Sequence, residues 1–422
     1  MNIIDRFFKY VNRLGPYEEK ARICVSVSGG SDSLALTFLL NEWCKLNGFQ
    51  LSAVTIDHSL RRESKDETLR LHNLLAMHSI HHEYYKIKPN TIKTNKQETA
   101  RIERYKLLAQ HCKKNKIHHL FTGHTLNDNV ENFFIRLTRG TSLKGLKGIN
   151  KKIILNDIRV LRPLLSFHRE DLKFYLNSID VQWISDPSNK DLKYKRNLAR
   201  NILNSEGFVE MSNQTDKSVI FDRINDVIIE TQEVYSTNIQ ALNKFLAQHI
   251  TIYNSGYCII KLDAFKEQTK DLAVRCLSTV INTIGGKDQH GPRKKSLQLI
   301  VSHISLNKKG VFTLGNAIIK INKKQNKIFI YPEHLSNTIE LRENEIVFCG
   351  QYVLKSVQRK NFSVMRLNKT NAPDLPNTIR KSAFKIEAHS GKKLVPFTSK
   401  GYYSDLDFEY AAKRSVSSQT VG

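Results

Sequence analysis

The sequence predicts an α/β fold in three parts. A doubly wound parallel-sheet domain comes first, a mainly helical middle domain second, and a small β-rich C-terminal domain last. Over about the first 150 residues, short β-branched segments alternate with segments of helical length, which is typical of a parallel sheet covered by helices. Helical patterns dominate residues 213–306, and the end of the chain is strand-like, lysine-rich and interrupted by prolines.

The elements of the N-terminal domain follow in order. Apolar residues at helical spacing between residues 3 and 14 predict a packed first helix. Residues 22–28 are apolar and β-branched, as in a buried strand. A Gly-Gly turn follows, and we expect Ser31 to cap the next helix and Gly48 to end it. Further strands are expected at residues 49–58, 81–87 and 117–124, and further helices at 98–116 and 127–140.

Two changes of pattern divide the remaining chain. We expect domains at residues 1–212, 213–333 and 334–422. Residues 161–179 predict a turn followed by a helix, and residues 310–333 predict a hairpin with a polar turn between Asn322 and Asn326.

Composition narrows the class of partner. Lys and Arg number 66 against 40 Asp and Glu, a formal charge of +26 spread along the chain. Such a field attracts nucleic acid; a solvated basic surface is an equally weighted alternative. The six cysteines form no CxxC pair, which favours buried thiols in the reducing cytoplasm. No apolar run approaches the length of a membrane span, so no membrane partner is expected.

The segment SGGSDS, residues 28–33, lies between the first strand and its helix. Two glycines permit a tight turn and the close approach of a ligand. The helix start offers N–H groups and a positive dipole end, which suit phosphate. No Gly-Lys-Ser/Thr follows, so this is not a Walker A loop, and Asp32 beside a phosphate calls for a bridging Mg²⁺. A plain Gly-Ser turn is the simpler alternative, but its position favours a ligand.

An ordered set of motifs in the first 200 residues resembles one enzyme family. SGGSDS is similar to the loop of the PP-loop ATP pyrophosphatase superfamily, which includes GMP synthetase and several tRNA-modifying enzymes. DHSLR, ETARIERY, GHTLNDNVENFFIRLTRG, RPLL, WISDPSN and KRNLARN follow in the order of the tRNA(Ile)-lysidine synthetase family. The chain departs from that family at Asn127, where an aspartate is usual, and at Asn132, where a threonine is usual.

The resemblance implies a reaction. The family uses ATP to join L-lysine to C2 of the wobble cytidine in a tRNA(Ile) with a CAU anticodon. Adenylation makes the C2 oxygen a good leaving group for attack by the lysine amine, and the product reads AUA in place of AUG. The first domain would then bind ATP, and the two later domains would bind tRNA.

Candidate site residues follow from the same resemblance. Asp32 would hold Mg²⁺ and act in catalysis. Arg101 shares a helix face with Arg104, although a salt-bridged surface with Glu98 and Glu103 is the alternative. The residues expected to bind ATP are Ser28, Gly29, Gly30, Ser31, Asp32, Ser33, Asp57 and Arg101.

Two carboxylates are candidates for the amine. Asp128 and Glu131 lie three apart on one helix and are expected to be catalytic, by receiving the cationic lysine or by helping its amine as a base. The simpler alternative is acidic residues that favour a helix start. The residues expected to contact lysine or tRNA are Asp128, Glu131, His124, Lys195, Arg196 and Arg200, and a homodimer is left open.

Two other functions are compatible with a basic α/β chain of this kind. A tRNA thiolase of the same superfamily needs a persulfide-bearing cysteine or a cluster-binding set of cysteines, which this cysteine pattern does not favour. A non-catalytic RNA-binding protein with a relic nucleotide pocket is argued against by the acidic residues Asp32, Asp128 and Glu131.

Overall fold

The computed structural model describes residues 2–57, 64–87, 96–155, 157–184, 195–212, 216–253, 256–285 and 291–333, with short strands between residues 339 and 410. The chain divides into two compact units, residues 1–235 and 236–422. The domain limits expected at residues 212 and 333 stay a prediction. Within the described part of the chain, no helix is long and apolar enough to cross a bilayer.

The first unit is built on one six-stranded sheet. Its strands are β1 (Arg22–Ser26), β2 (Gln50–Asp57), β3 (His81–Lys86), β4 (His119–Thr122), β5 (Lys152–Leu155) and β6 (Ile158–Leu161). They lie in the order β3-β2-β1-β4-β6-β5, and all neighbours pair in parallel except β5 with β6. The connections run in opposite directions from β1 and β4, so the gap between these strands is a switch point where ligands bind.

The helices of the first unit are α1 (Ile3–Arg13), α2 (Ser31–Asn47), α3 (Ser64–Met77), α4 (Lys96–Lys114), α5 (Leu126–Thr138), α6 (Leu143–Leu146), α7 (Arg169–Ser178), α8 (Lys195–Leu203) and α9 (Glu206–Met211), with a 3-10 turn at Pro163–Ser166. Helix α10 (Lys217–His249) begins in this unit and ends in the second. Both faces of the sheet are covered, by α1, α2 and α7 on one side and by α4 on the other. Successive strand residues face opposite sides. Ile23 and Val25 therefore join the core of α1, α2 and α7, while Cys24 joins that of α4. The predicted doubly wound fold is confirmed.

Helix α2 shows one confirmed and one wrong expectation at its ends. Gly48 ends the helix in the left-handed conformation, as predicted. The N-cap is Gly30 rather than Ser31, and it makes no side-chain capping hydrogen bond. The Ser31 hydroxyl instead donates to Asp32 Oδ1 at 3.1 Å. Among the residues that the structure describes, no side chain therefore caps the N–H groups at the start of α2.

The second unit contains a five-stranded sheet accompanied by helices, and two smaller sheets. Helices α11 (Leu262–Lys266), α12 (Lys270–Gly285) and α13 (Lys294–Ser305) accompany the strands β7 (Ile250–Tyr253), β8 (Tyr257–Lys261), β9 (Val311–Leu314), β10 (Ala317–Asn322) and β11 (Lys327–Pro332). These strands form an antiparallel sheet in the order β7-β8-β11-β10-β9. The predicted hairpin over residues 310–333 is confirmed in its β10–β11 part, but its first half is divided into β9 and β10, which pair with each other. Strands β7 and β8 were not predicted.

The end of the chain is β-rich, as predicted. Its strands are β12 (Ile339–Leu341), β13 (Glu345–Phe348), β14 (Tyr352–Ser356), β15 (Phe362–Arg366), β16 (Phe384–Ala388), β17 (Lys393–Leu394) and β18 (Leu406–Tyr410). They form two antiparallel sheets, in the orders β12-β15-β16-β17 and β13-β14-β18.

Candidate active site

A cavity of about 550 Å³ opens at the carboxyl ends of β1 and β4, which are the two strands at the switch point. The loop after β1, the start of α2, and parts of α4, α7 and α8 line it. Asp32 and Asp128 are the carboxylates among the lining residues. The cationic lining side chains outnumber them three to one and are Arg101, Arg104, Arg169, Lys173, Arg196 and Arg200. The cavity therefore suits a polyanion.

A second cavity, of about 300 Å³, lies at the opposite edge of the sheet, around the first residues of β1, β2 and β3. Its described lining contains no glycine, no helix start and none of the site residues predicted from sequence. The cavity at the switch point is therefore the candidate active site.

The loop after β1 is held in a shape that requires glycine. Gly29 has φ +84°, in the left-handed region, and a Cβ there would lie 2.8 Å from Ile184 Cδ1. Ser33 Oγ accepts from the Ser28 N–H at 3.1 Å and donates to the Gly30 carbonyl at 3.0 Å. These bonds close the loop around the start of α2, whose first N–H groups lack helical acceptors and can bind phosphate.

Gly123, after β4, permits close approach to this helix start. A Cβ at Gly123 would lie 3.0 Å from Ser33 Cα and 3.1 Å from the Asp32 carbonyl oxygen, both backbone atoms. The turn after β4 can therefore touch the loop of residues 28–33, which we call the phosphate loop, only because residue 123 has no side chain.

Asp32 extends from the first turn of α2 into the cavity. Its Oδ2 accepts from Arg169 Nε at 2.9 Å. Burial raises the pKa of Asp32, and the nearby Asp128 charge adds to this, while Arg169 opposes it; the net pKa is raised.

Asp128 belongs to a capping box at the start of α5. Its Oδ2 accepts from the Thr125 N–H at 2.9 Å, and its own N–H donates to Thr125 Oγ1 at 3.4 Å. Its other oxygen accepts from Arg169 Nη2 at 3.2 Å. Burial raises the pKa of Asp128, but the cations Arg169 and Arg196 outweigh burial, so that its pKa is lowered. The simpler sequence reading, an acid at a helix start, holds alongside its place in the cavity wall.

Glu131 lies behind the cavity wall, with a side chain only 3% exposed. Its two oxygens accept from Arg200 Nε at 2.7 Å and Nη2 at 3.2 Å. Arg196 Nε lies 3.7 Å and Arg169 Nη1 3.5 Å from the same carboxylate. One carboxylate thus holds three of the arginines that line the cavity.

Arg169 was not predicted as a site residue. It is the first residue of α7 and contacts Asp32, Asp128 and Glu131, the three acids that the sequence singled out. These contacts raise its pKa further above the ordinary range. The sequence did offer a signal for Arg169, because a cation in the first turn of a helix is unfavourable beside the positive end of the helix dipole. Such a position indicates that the cation has acidic partners elsewhere in the fold.

Arg101, Arg104 and His124 also line the cavity. The guanidinium carbons of Arg101 and Arg104 lie 5.2 and 5.4 Å from the centroid of the Tyr105 ring. Glu103 pairs with Lys106, at 3.7 Å, rather than with these arginines. His124 Nδ1 lies 3.1 Å from Thr122 Oγ1. Burial lowers the pKa of His124 to about 3, so the imidazole is neutral at physiological pH.

Other predicted residues are not at the cavity surface. Asp57 is buried at the end of β2, and Lys195 is exposed at the start of α8; neither is among the described lining residues. His58 and Lys193, in the motifs after β2 and before α8, lie outside the described residues.

The two departures from the family pattern have structural partners. Asn127 Oδ1 accepts the backbone N–H of Arg169 at 2.8 Å. Asn132 Oδ1 accepts from Arg136 Nε at 3.2 Å. Asn127 therefore joins α5 to α7 beside the cavity, whereas Asn132 bonds one turn along its own helix.

The cavity residues fit a magnesium ion that arrives with a nucleotide. Mg²⁺ is usually bound through one or two carboxylates together with phosphate oxygens, and Asp32 and Asp128 offer such oxygens. Among the described residues, no group of three or more His, Cys, Asp or Glu side chains could hold a metal alone.

A family model described as a PP-loop domain matches residues 2–206, so the fold and this site define an ATP-binding PP-loop enzyme. Three curated relatives are each named tRNA(Ile)-lysidine synthase. That of Orientia tsutsugamushi is 32% identical over 79% of this chain and 74% of its own. The relative from the Wolbachia of Brugia malayi is 32% identical over 72% of this chain and 67% of its own. That of Rickettsia akari is 30% identical over 78% of this chain and 74% of its own. The chain belongs to the tRNA(Ile)-lysidine synthase family, and it is a ligase.

Among solved structures, the U34-tRNA thiolase NcsA from Methanococcus maripaludis matches with a TM-score of 0.44 and 17% identity. The match covers 53% of this chain and 78% of that one.

Proposed function

We propose that this chain uses ATP to join L-lysine to C2 of the wobble cytidine in a tRNA(Ile) with a CAU anticodon. The C2 oxygen attacks the α-phosphorus of ATP, and pyrophosphate leaves. The lysine ε-amine then attacks C2 and expels AMP, which leaves lysidine. The modified anticodon reads AUA in place of AUG. The observation that carries the proposal is the cavity at the switch point, where an uncapped helix start meets an excess of arginines.

The phosphate loop is proposed to hold the β and γ phosphates. Ser28, Ser31 and Ser33 add hydroxyls to the N–H groups at the start of α2. Arg101 is proposed to clamp a phosphate from the opposite wall, as guanidinium groups do. Asp57 stays a proposed nucleotide contact from the end of the neighbouring strand.

Asp32 is proposed to hold Mg²⁺, which would neutralise charge on the departing pyrophosphate. Asp32 is suited to this because it lies in the first turn of α2, next to the N–H groups that would bind the same phosphates.

Asp128 is proposed to receive the amine of lysine, and Glu131, which lies behind the cavity wall, is proposed to act through the arginines that it holds. Asp128 faces the cavity, and its lowered pKa keeps it ionised and able to bind a cation. Glu131 lies one turn further along the same face of α5 and supports it. The neutral His124 imidazole is proposed to contact the cytidine or the nucleotide through a hydrogen bond.

The basic residues around the cavity are proposed to grip tRNA phosphates. Lys195, Arg196 and Arg200 follow one another along α8. Lys144, Lys151 and Lys152 are exposed on the same unit. Contacts from the second unit, a homodimer and a cytoplasmic location stay predictions.

Incorporation of radiolabelled lysine into a CAU-bearing tRNA(Ile), with AMP and pyrophosphate measured in parallel, tests the proposal. Asp32→Ala should abolish incorporation because it removes the carboxylate at the phosphates. Cys258→Ser, a change in the core of the second unit, is the control and should retain activity. A purified chain that binds tRNA yet releases no AMP would leave only an RNA-binding protein.

The thiolase alternative has a separate test. Cys24, Cys44, Cys112, Cys258 and Cys276 are buried, and none of these described cysteines lines the cavity. Turnover that survives replacement of all six cysteines by serine excludes persulfide chemistry.

A further inference from the structure

We propose that Arg169 is a positioning residue. Its guanidinium sets the distance between the carboxylate of the phosphate loop and the carboxylate of the amine site, and Asn127 in turn fixes Arg169. For the reaction that it serves, this inference rests on the proposed function.

Arg169 bridges two helices that carry different halves of the site. Its Nε donates to Asp32 Oδ2 on α2 at 2.9 Å, and its Nη2 donates to Asp128 Oδ1 on α5 at 3.2 Å. Its Nη1 lies 3.5 Å from Glu131 Oε1. The side chain is 16% exposed. Because a guanidinium is planar and rigid, its donors fix the carboxylates in direction as well as distance, which an ammonium cannot do.

Asn127 fixes the position of the arginine itself. The N-cap of α7, His168, makes no side-chain capping bond. Asn127 Oδ1 supplies the missing acceptor from α5, at 2.8 Å from the Arg169 backbone nitrogen. Since Asn127 adjoins Asp128, one helix carries both the carboxylate and the group that positions its arginine. An aspartate at residue 127 would offer the same acceptor oxygen.

The bridge has a consequence for the reaction. Asp32 and Asp128 are like charges in one cavity, so without the guanidinium between them their carboxylates repel and turn apart. The triphosphate, which Asp32 would hold through Mg²⁺, and the amine, which Asp128 would hold directly, would then be misaligned. A misplacement of about 1 Å at reacting groups costs about 100-fold in rate.

Steady-state kinetics on the full chain test the proposal. Arg169→Gln should lower kcat by about 100-fold, because the triphosphate and the amine are no longer aligned. The KM for tRNA should stay within about twofold, because the contacts with tRNA phosphates remain. Arg169→Lys should recover part of kcat. Asn127→Leu should lower kcat by about tenfold, whereas Asn127→Asp should return it to within about twofold of the parent chain.

The matched control is Arg6→Gln. Arg6 also holds this region, by donating to the Ser166 carbonyl at 2.7 Å and lying 3.7 Å from Asp171 on α7. It does not line the cavity. The Arg6→Gln variant should have a lower melting temperature than the parent chain and the same kcat. Equal kcat losses in Arg6→Gln and Arg169→Gln, or equal losses in the two Asn127 variants, would overturn the positioning role.

ATP binding, measured by calorimetry, separates this inference from the proposed reaction. If the parent chain incorporates no lysine, the proposed reaction fails, and the bridge is then judged by ATP affinity. Arg169→Gln should weaken ATP binding by about tenfold and Arg169→Lys by much less, because the charge-assisted contact that holds Asp32 at the start of α2 is lost only in the first. Unchanged affinity in Arg169→Gln would overturn the inference.

Discussion

Replacing Glu131 with glutamine tests whether one buried carboxylate holds in place the three arginines that it contacts at the cavity. The side chain is 3% exposed and makes a two-pronged contact with Arg200, at 2.7 and 3.2 Å. Arg196 and Arg169 lie 3.7 and 3.5 Å away. Glutamine keeps the size and one acceptor oxygen, so the change removes charge without creating a void.

The magnitude follows from burial. Removing one partner of a buried ion pair costs about 3–5 kcal/mol. The Arg200 side chain is 28% exposed and that of Arg196 47%, so water replaces part of the lost interaction. We therefore expect Glu131→Gln to lower the unfolding free energy of the first unit by about 2 kcal/mol. For a unit of this size, that is a fall of about 4–8 °C in its melting temperature.

Scanning calorimetry on the full chain measures this shift, and Glu103→Gln is the matched control. Glu103 pairs with Lys106 at 3.7 Å, and the lysine side chain is 58% exposed. Such a surface pair three residues apart on one helix contributes about 0.2–0.5 kcal/mol, so the control should melt within about 2 °C of the parent chain. If the two glutamine variants melt together, the carboxylate does not hold the arginines and the reasoning is refuted.

Two further predictions concern the loop and the pH dependence of stability. Gly123→Ala should cost about 1–3 kcal/mol and abolish turnover, because the new Cβ would meet Ser33 backbone at 3.0 Å; Gly207→Ala, with nothing within 4 Å, is the control, and equal melting points would contradict the prediction. Burial lowers the pKa of His82 to about 4, whereas the unfolded imidazole titrates near 6.5. The contribution of neutral His82 to the unfolding free energy is thus fully present above pH 6.5 and is lost as the pH falls toward 4. In urea titrations at several pH values, His82→Gln should lose less unfolding free energy between pH 6.5 and pH 4 than the parent chain. An equal loss in the two proteins would contradict this role of His82.

Sequence patterns were sufficient for the sheet and the phosphate loop because both depend on local order. Apolar strands alternating with helices define a parallel sheet, and a Gly-Gly turn between a strand and a helix places N–H groups at its edge. The spacing of Asp128 and Glu131 placed both on one side of α5. Ser31 was wrongly expected to cap α2, because capping depends on one backbone conformation that Gly30 adopts instead.

The amino-acid sequence by itself determined the α/β class, the loop that suits phosphate and the acids beside it, since each depends on residues close together in the chain. Only the tertiary structure decided which cations those acids meet. Arg169 lies 137 residues from Asp32, and Arg200 lies 69 residues from Glu131. No local periodicity relates such positions, because their approach depends on how the helices pack across the sheet.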